Sequence, residues 1–190
     1  MREADDAAAR VREILDAAVA AHQRARNLDG AVVRAAAAIR SAFAEGNKLM
    51  VFGNGGSAAD AQHMAAELVG HFQRDRGGLP AIALTTDTST LTSVANDYGF
   101  ERVFARQIEA LGRSGDVAFG ISTSGASGNV VTALDAARQA GLITIALTGR
   151  DGGAAGAAAE IHLNLPEQST ARIQEVHRTL IHAICELVED

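Results

Sequence analysis

His63 and Glu67 lie four residues apart in a stretch patterned as a helix, so both side chains leave one helix face. An imidazole nitrogen beside a carboxylate oxygen can hold a divalent transition metal, and it is equally an acid–base pair. Alone, such a pair is also what a surface hydrogen bond looks like, so its weight depends on what else the chain brings to it. The C-terminal stretch, again helical in pattern, brings Gln174, Glu175, His177 and His182. Imidazole, carboxylate and amide oxygen together suit such an ion. Gln174 and His182 are separated by an axial rise of about 12 Å, so both reach one ion only if their side chains lean together or if one belongs to another subunit. Glu175 and His177 are read as exposed helix residues.

Two loops carry anion-binding chemistry. Gly53-Asn54-Gly55-Gly56-Ser57-Ala58 follows a short apolar run and opens the His63 helix, so its glycines permit tight backbone geometry while N–H groups and the helix dipole face a bound anion. The loop also fits G-x-G-x-x-A. A dinucleotide site wants an acidic ribose anchor about 20 residues on, and the first acidic residue after the next strand, Asp87, comes later. No Gly-Lys-Ser/Thr follows, which excludes a Walker loop. Ser122-Thr123-Ser124-Gly125-Ala126-Ser127 joins another strand to a helix, and its hydroxyls and N–H groups can wrap a phosphate without any Lys. Ser127 by itself would be an ordinary N-cap. Four hydroxyls in six residues ask for more than capping.

The elements that must position these residues follow from periodicity. Helices are expected over about 6–26, with Val11, Ile14, Leu15, Ala18, Val19 and His22 on one stripe, and from an Asp29 cap through Val32, Ala36, Ile39 and Phe43. Strands are expected at 48–52, 81–84, 117–121, 142–147 and 160–165, and further helices at 57–70, 88–95, 100–111 and 127–140. A last helix, capped by Ser169 or Thr170, runs to the C-terminus. Apolar strands alternating with helices imply an α/β fold: a three-layer αβα sandwich on a five-stranded parallel sheet, with two N-terminal helices and a long C-terminal one, one domain over 1–190. Ligands in such a sheet sit beyond the carboxyl ends of the strands, which points to the loops after Phe52, Leu84, Ile121 and Leu147.

The composition fits this picture. Of 190 residues 47% are hydrophobic and only 4% aromatic, so the core is built from small and branched aliphatic side chains in close contact. A formal net charge of −6 argues against a nucleic-acid or anionic-membrane surface. Cys185 is the single cysteine, which rules out an intrachain disulfide or a cysteine metal cluster and suits a reducing cytoplasm. The charged start, with no apolar h-region and no membrane-length apolar run, leads to the expectation of a soluble, unprocessed, cytoplasmic protein.

The run Gly53-Asn54-Gly55-Gly56-Ser57-Ala58-Ala59-Asp60-Ala61-Gln62-His63, then Asn96-Asp97, Ser122-Thr123-Ser124-Gly125 and Thr170-Ala171-Arg172-Ile173-Gln174-Glu175, in that order, resembles the bacterial phosphoheptose isomerases. These are sugar isomerase (SIS) domain proteins with a flavodoxin-like sheet, and the resemblance covers nearly the whole chain. It implies conversion of D-sedoheptulose 7-phosphate to D-glycero-D-manno-heptose 7-phosphate by a homotetramer with active sites at subunit interfaces and one zinc per subunit. By motif position it implies His63, Glu67, Gln174 and His182 as metal ligands. It implies Asn54, Gly55, Gly56, Ser57, Glu67, Asn96, Asp97, Ser122, Thr123, Ser124, Ser127 and Gln174 as substrate contacts, the serine loop taking the phosphate.

Ketose-to-aldose isomerisation needs a base to move a proton between adjacent carbons, an acid to manage the oxygens, and stabilisation of the enediolate between them. Glu67 is expected as the base and His182 as the acid or ring-opening group, with the metal stabilising the oxyanion. Glu67 cannot be a tight ligand and a free base at once, so it binds loosely or changes role on substrate binding. Two alternatives stand beside this reading: a non-catalytic SIS regulator that binds a replication initiator protein, and an isomerase of another sugar phosphate. The joint presence of four ligand-type residues favours an enzyme.

Overall fold

A computed structural model describes residues 2–190. Five parallel strands, β1 (Leu49–Gly53), β2 (Ala81–Ala83), β3 (Val117–Ser122), β4 (Ile143–Gly149) and β5 (Ile161–Leu165), form one sheet in the order β2-β1-β3-β4-β5. Eight α-helices lie among the described residues: α1 (Arg2–Ala25), α2 (Asp29–Ala44), α3 (Gly56–Val69), α4 (Thr88–Tyr98), α5 (Ala105–Leu111), α6 (Gly128–Gln139), α7 (Gly153–Ala158) and α8 (Thr170–Glu189).

β1 and β3 are buried along their full length, so they read as apolar runs rather than alternating ones. Alternate residues still go to opposite faces. Leu49, Val51, Val117, Phe119, Ile121, Ile145 and Leu147 meet α2, α3 and α8, while Met50, Phe52, Ala118 and Ala146 meet the layer of α5, α6 and α7. Fully burying a leucine or phenylalanine contributes about 1.5–3 kcal/mol. Gly120 allows the close approach on the second face: a Cβ there would stand 3.0 Å from Val130 Cγ1 and 3.1 Å from Phe52 Cε2. Cys185 belongs to this core, and burial pushes its thiol up to about 12.

Several expectations are corrected. Asp29 is not an N-cap; a 3-10 turn, Arg26–Leu28, leads straight into α2, and Asp29 is already helical, its carboxylate accepting from Gly30 N at 2.6 Å. The single helix expected over 100–111 is split into a 3-10 turn, Phe100–Arg102, and α5. Asp87, already too far along the chain for a ribose anchor, is the N-cap of α4, accepting from Thr90 N at 3.0 Å. Ser169 rather than Thr170 caps α8. The expected stripe on α1 faces solvent in the chain: Val11, Ile14, Leu15 and Val19 are 41–59% exposed. No described helix is long and apolar enough to cross a membrane.

Candidate active site

The order of the sheet reverses between β1 and β3, since the chain moves outward from β1 to β2 and then crosses back. Ligands of doubly wound sheets bind at this switch point, beyond the strands' carboxyl ends. The loops after β1 and β3 are the two singled out by their residues. They are joined there by a contact that sequence reasoning did not find: Asn54 Nδ2 donates to Asn129 Oδ1 and Asn129 Nδ2 donates to Asn54 Oδ1, both at 2.8 Å, with Asn129 buried at the start of α6.

The serine loop joins β3 to α6, and its hydroxyls lie together. Ser127 is the N-cap residue of α6 but makes no side-chain cap bond; its Oγ lies 3.0 Å from Ser122 Oγ, which is 3.5 Å from Ser124 Oγ. The hydroxyls therefore cluster at the helix start instead of closing the helix end. Gly125 holds the turn with φ +67°, and a Cβ there would stand 2.2 Å from Gly152 O. Its carbonyl accepts from Ala155 N at 2.8 Å, tying the loop to α7. The β1 loop is different. Ser57 N donates to Asn54 O, and Ala58 N and Ala59 N donate to Gly55 O, so those N–H groups close the helix start on itself. Gly56 is a glycine for a reason the sequence did not disclose: a Cβ there would stand 2.3 Å from Gln174 Nε2.

Three of the four expected ligands converge. His63 Nε2 lies 2.7 Å from His182 Nε2 and 3.3 Å from Glu67 Oε1, and the donor atoms of the three residues lie within 4.8 Å of one another. All three are half-buried. Gln174 is seated against Gly56 at the start of α3, about 10 Å of axial rise before His63. Asn96 and Asp97 lie exposed in the last turn of α4, where the Asn96 amide donates to Asp97 Oδ1 at 2.7 Å. The expectation that Glu175 and His177 are exposed is corrected: His177 is fully buried, with Nε2 3.0 Å from Thr148 O, and Glu175 is half-buried, paired to Arg172 at 2.5 Å.

An ion pair absent from the sequence reading links the two ligand helices. Arg178 donates to the buried Asp60 at 2.6–2.7 Å, one turn before His182 and His63 respectively. Burial, and next the Arg178 charge, lower the pKa of His63 below its usual value. A neutral His63 keeps a lone pair for a hydrogen bond or an ion, and the short contact to His182 itself needs one ring to donate and the other to accept. Two imidazoles and one carboxylate on facing helices are a donor set that fits zinc.

The chain matches the SIS domain family over residues 9–149. It is 57% identical to a phosphoheptose isomerase of Roseiflexus sp. (strain RS-1) over 158 residues, 83% of this chain and 80% of that protein. Among solved structures, the phosphoheptose isomerase GmhA of Neisseria gonorrhoeae is 48% identical with a TM-score of 0.90, covering 95% of this chain and 97% of that one. A phosphoheptose isomerase of Francisella tularensis is 37% identical with a TM-score of 0.92, covering 96% and 97%.

Proposed function

Because the chain belongs to the phosphoheptose isomerases of the SIS domain family, we propose that it converts D-sedoheptulose 7-phosphate to D-glycero-D-manno-heptose 7-phosphate with a zinc ion at His63, Glu67 and His182. The observation that carries the metal-assisted reading is the meeting of those three donors from two facing helices, one of them launched by the loop after β1.

In the open-chain ketose the C1 hydrogen must end on C2 and the O1 proton on O2. Glu67, half-buried and holding the ion loosely or leaving it on substrate binding, takes the C1 proton and returns it to C2. His182 holds the proton that passes between the two oxygens. Zinc bound beside them supplies charge stabilisation for the oxygen that becomes negative. His63, its pKa lowered by burial and by the Arg178 charge, keeps a ring nitrogen lone pair with which to serve as a ligand. The clustered hydroxyls of Ser122, Ser124 and Ser127, with Thr123, take the phosphate at the start of α6. Asn54, Gly55, Gly56 and Ser57 border the sugar from the β1 side.

The same reading makes the protein a homotetramer with one zinc per subunit and its sites at subunit interfaces. The apolar stripe of α1 and the exposed Tyr98 and Phe100 beside Asn96 and Asp97 support it, because such surfaces are normally covered. Gln174, apart from His182 along its own helix, joins a zinc through side-chain movement or across an interface.

The test is aldose formation from sedoheptulose 7-phosphate by the purified protein, before and after chelation and with zinc restored. Glu67→Gln is expected to keep the fold and substrate binding while turnover falls by orders of magnitude. Near-parental turnover in that variant would sink the assignment of the base. Full activity in exhaustively chelated protein would sink the role of the metal.

A further inference from the structure

The irregular segment between α3 and β2, residues 70–80, has no task in the chemistry above, yet it is tied tightly to the end of α8. Glu189 buries its carboxylate under it, with the side chain 1% exposed. Oε1 accepts from Phe72 N at 2.7 Å, Oε2 accepts from Gln73 N at 2.9 Å and Arg74 N at 3.1 Å, and Arg76 Nη2 lies 2.8 Å from Oε1. Burial pushes this carboxyl up, and the N–H donors with Arg76 outweigh it, holding it at about 2. Arg76 also bonds to the end of α3, with Nη2 donating to Glu67 O at 3.1 Å and Nη1 to Leu68 O at 2.8 Å and Gly70 O at 3.3 Å, and within its own segment Nη1 donates to Gly77 O at 3.0 Å. Carbonyls in a last helical turn lack N–H partners of their own. One ion pair therefore joins the end of the helix carrying Glu67 to the end of the helix carrying His182.

Phe72 is the residue this pair sets in place. Its ring centroid lies 5.3 Å from that of His182 at 31°, while the His63 ring lies 5.0 Å from His182 at 58°. The His182 imidazole thus has an aromatic neighbour that takes no part in chemistry besides the one that does. An imidazole on a half-exposed helix face turns freely about its side-chain torsions unless something packs against it. Partners that orient metal-binding histidines without touching the ion are a recognised need of such sites.

We propose that Phe72, locked by the Glu189–Arg76 pair, is a positioning residue: it holds the His182 ring in the orientation from which Nε2 meets His63 and Glu67. The proposal rests on the metal-assisted isomerase reading for its catalytic consequence, but its geometric content stands on the metal-free protein.

The experiment uses the full chain, with histidines carbon-13 labelled at Cε1 and the His182 signal assigned by its loss in His182→Gln. Glu189→Gln keeps Phe72 yet removes the anion that fixes it, so the His182 signal of the metal-free protein is expected to move and broaden. Zinc affinity, read by competition with a chromogenic chelator, is expected to fall about tenfold in Glu189→Gln and in Phe72→Ala, with kcat falling similarly and KM held within about twofold. Phe72→Leu, which restores an apolar body against the ring, is expected to recover most of both. An unmoved His182 signal in Glu189→Gln would overturn the proposal. So would parental zinc affinity and kcat in a folded Phe72→Ala, the variant that decides if Glu189→Gln does not fold. A parent protein that neither binds zinc nor turns over would refute the functional reading instead, leaving the His182 signal to judge the positioning claim.

Discussion

Gly56→Ala tests the site through a single methyl group. Gly56 is the first residue of α3, and its φ lies outside the left-handed region, so alanine is tolerated by the backbone and is intrinsically better in a helix by up to about 1 kcal/mol. The added Cβ would stand 2.3 Å from Gln174 Nε2, 2.8 Å from Cδ and 3.1 Å from Oε1, where ordinary contact begins at 3.4 Å. Those atoms end a flexible side chain, so the amide retreats by about 1 Å while both helices stay in place. A misplacement of that size in a positioning group costs about 100-fold in rate, or about 2.7 kcal/mol of transition-state stabilisation. The assay is kcat/KM on sedoheptulose 7-phosphate beside a thermal melt, for Gly56→Ala, Gln174→Ala and the double variant. A melt at or above the parental value with kcat/KM down about 100-fold is expected. If the methyl acts by displacing Gln174, the double variant is no slower than the slower single one. Parental kcat/KM in Gly56→Ala, or two losses that multiply in the double variant, would refute the reasoning.

Acid stability is expected to depend on His177. Burial lowers its pKa to about 4, against 6.5 for the free side chain, so above pH 6.5 neither state is charged and nothing is lost. As pH falls from 6.5 to 4 the unfolded chain takes up a proton that the folded chain refuses, and stability drops by about 3 kcal/mol in all. Chemical denaturation across that window should show a flatter dependence for His177→Gln than for the parent; parallel curves would remove His177 from the account. Gly125→Ala places a Cβ 2.2 Å from a backbone oxygen at φ +67°, so neither atom gives way easily. That variant is expected to lose about 2 kcal/mol or more of stability and to raise KM for the phosphorylated substrate, and an unchanged melt and KM would contradict the described turn.

The sheet was legible because β1, β3 and β4 are short apolar runs stopped by glycine or serine, and burial on both faces leaves little else for such runs to be. The convergence of His63, Glu67 and His182 was legible in part, since helical spacing pairs the first two and only tertiary packing brings the third. α7 was missed because Gly153–Ala158 contains only glycine and alanine and so carries no apolar period. His177 was misread because a lone histidine gives no hint that its ring will be driven against the Thr148 carbonyl of a neighbouring strand. Asn129, Arg178 and Phe72 escaped for the same reason, as each matters through a partner more than seventy residues away. The stripe on α1 was read correctly as a pattern, but a pattern does not say whether the face it makes meets the chain's own core or another surface.

The reciprocal amide pair of Asn54 and Asn129 also bears on how the protein ages. Asn54 precedes Gly55, and an asparagine before a glycine is the arrangement most open to succinimide formation, because no side chain hinders attack by the glycine nitrogen on the amide carbon. Any turning of the Asn54 side chain toward that attack is opposed by two hydrogen bonds to a buried partner. The contact that spans the crevice between β1 and β3 is thereby a guard against deamidation in the loop. Once Asn54 became aspartate, it would offer acceptors only, leaving Asn129 Oδ1 facing an anion where it had a donor.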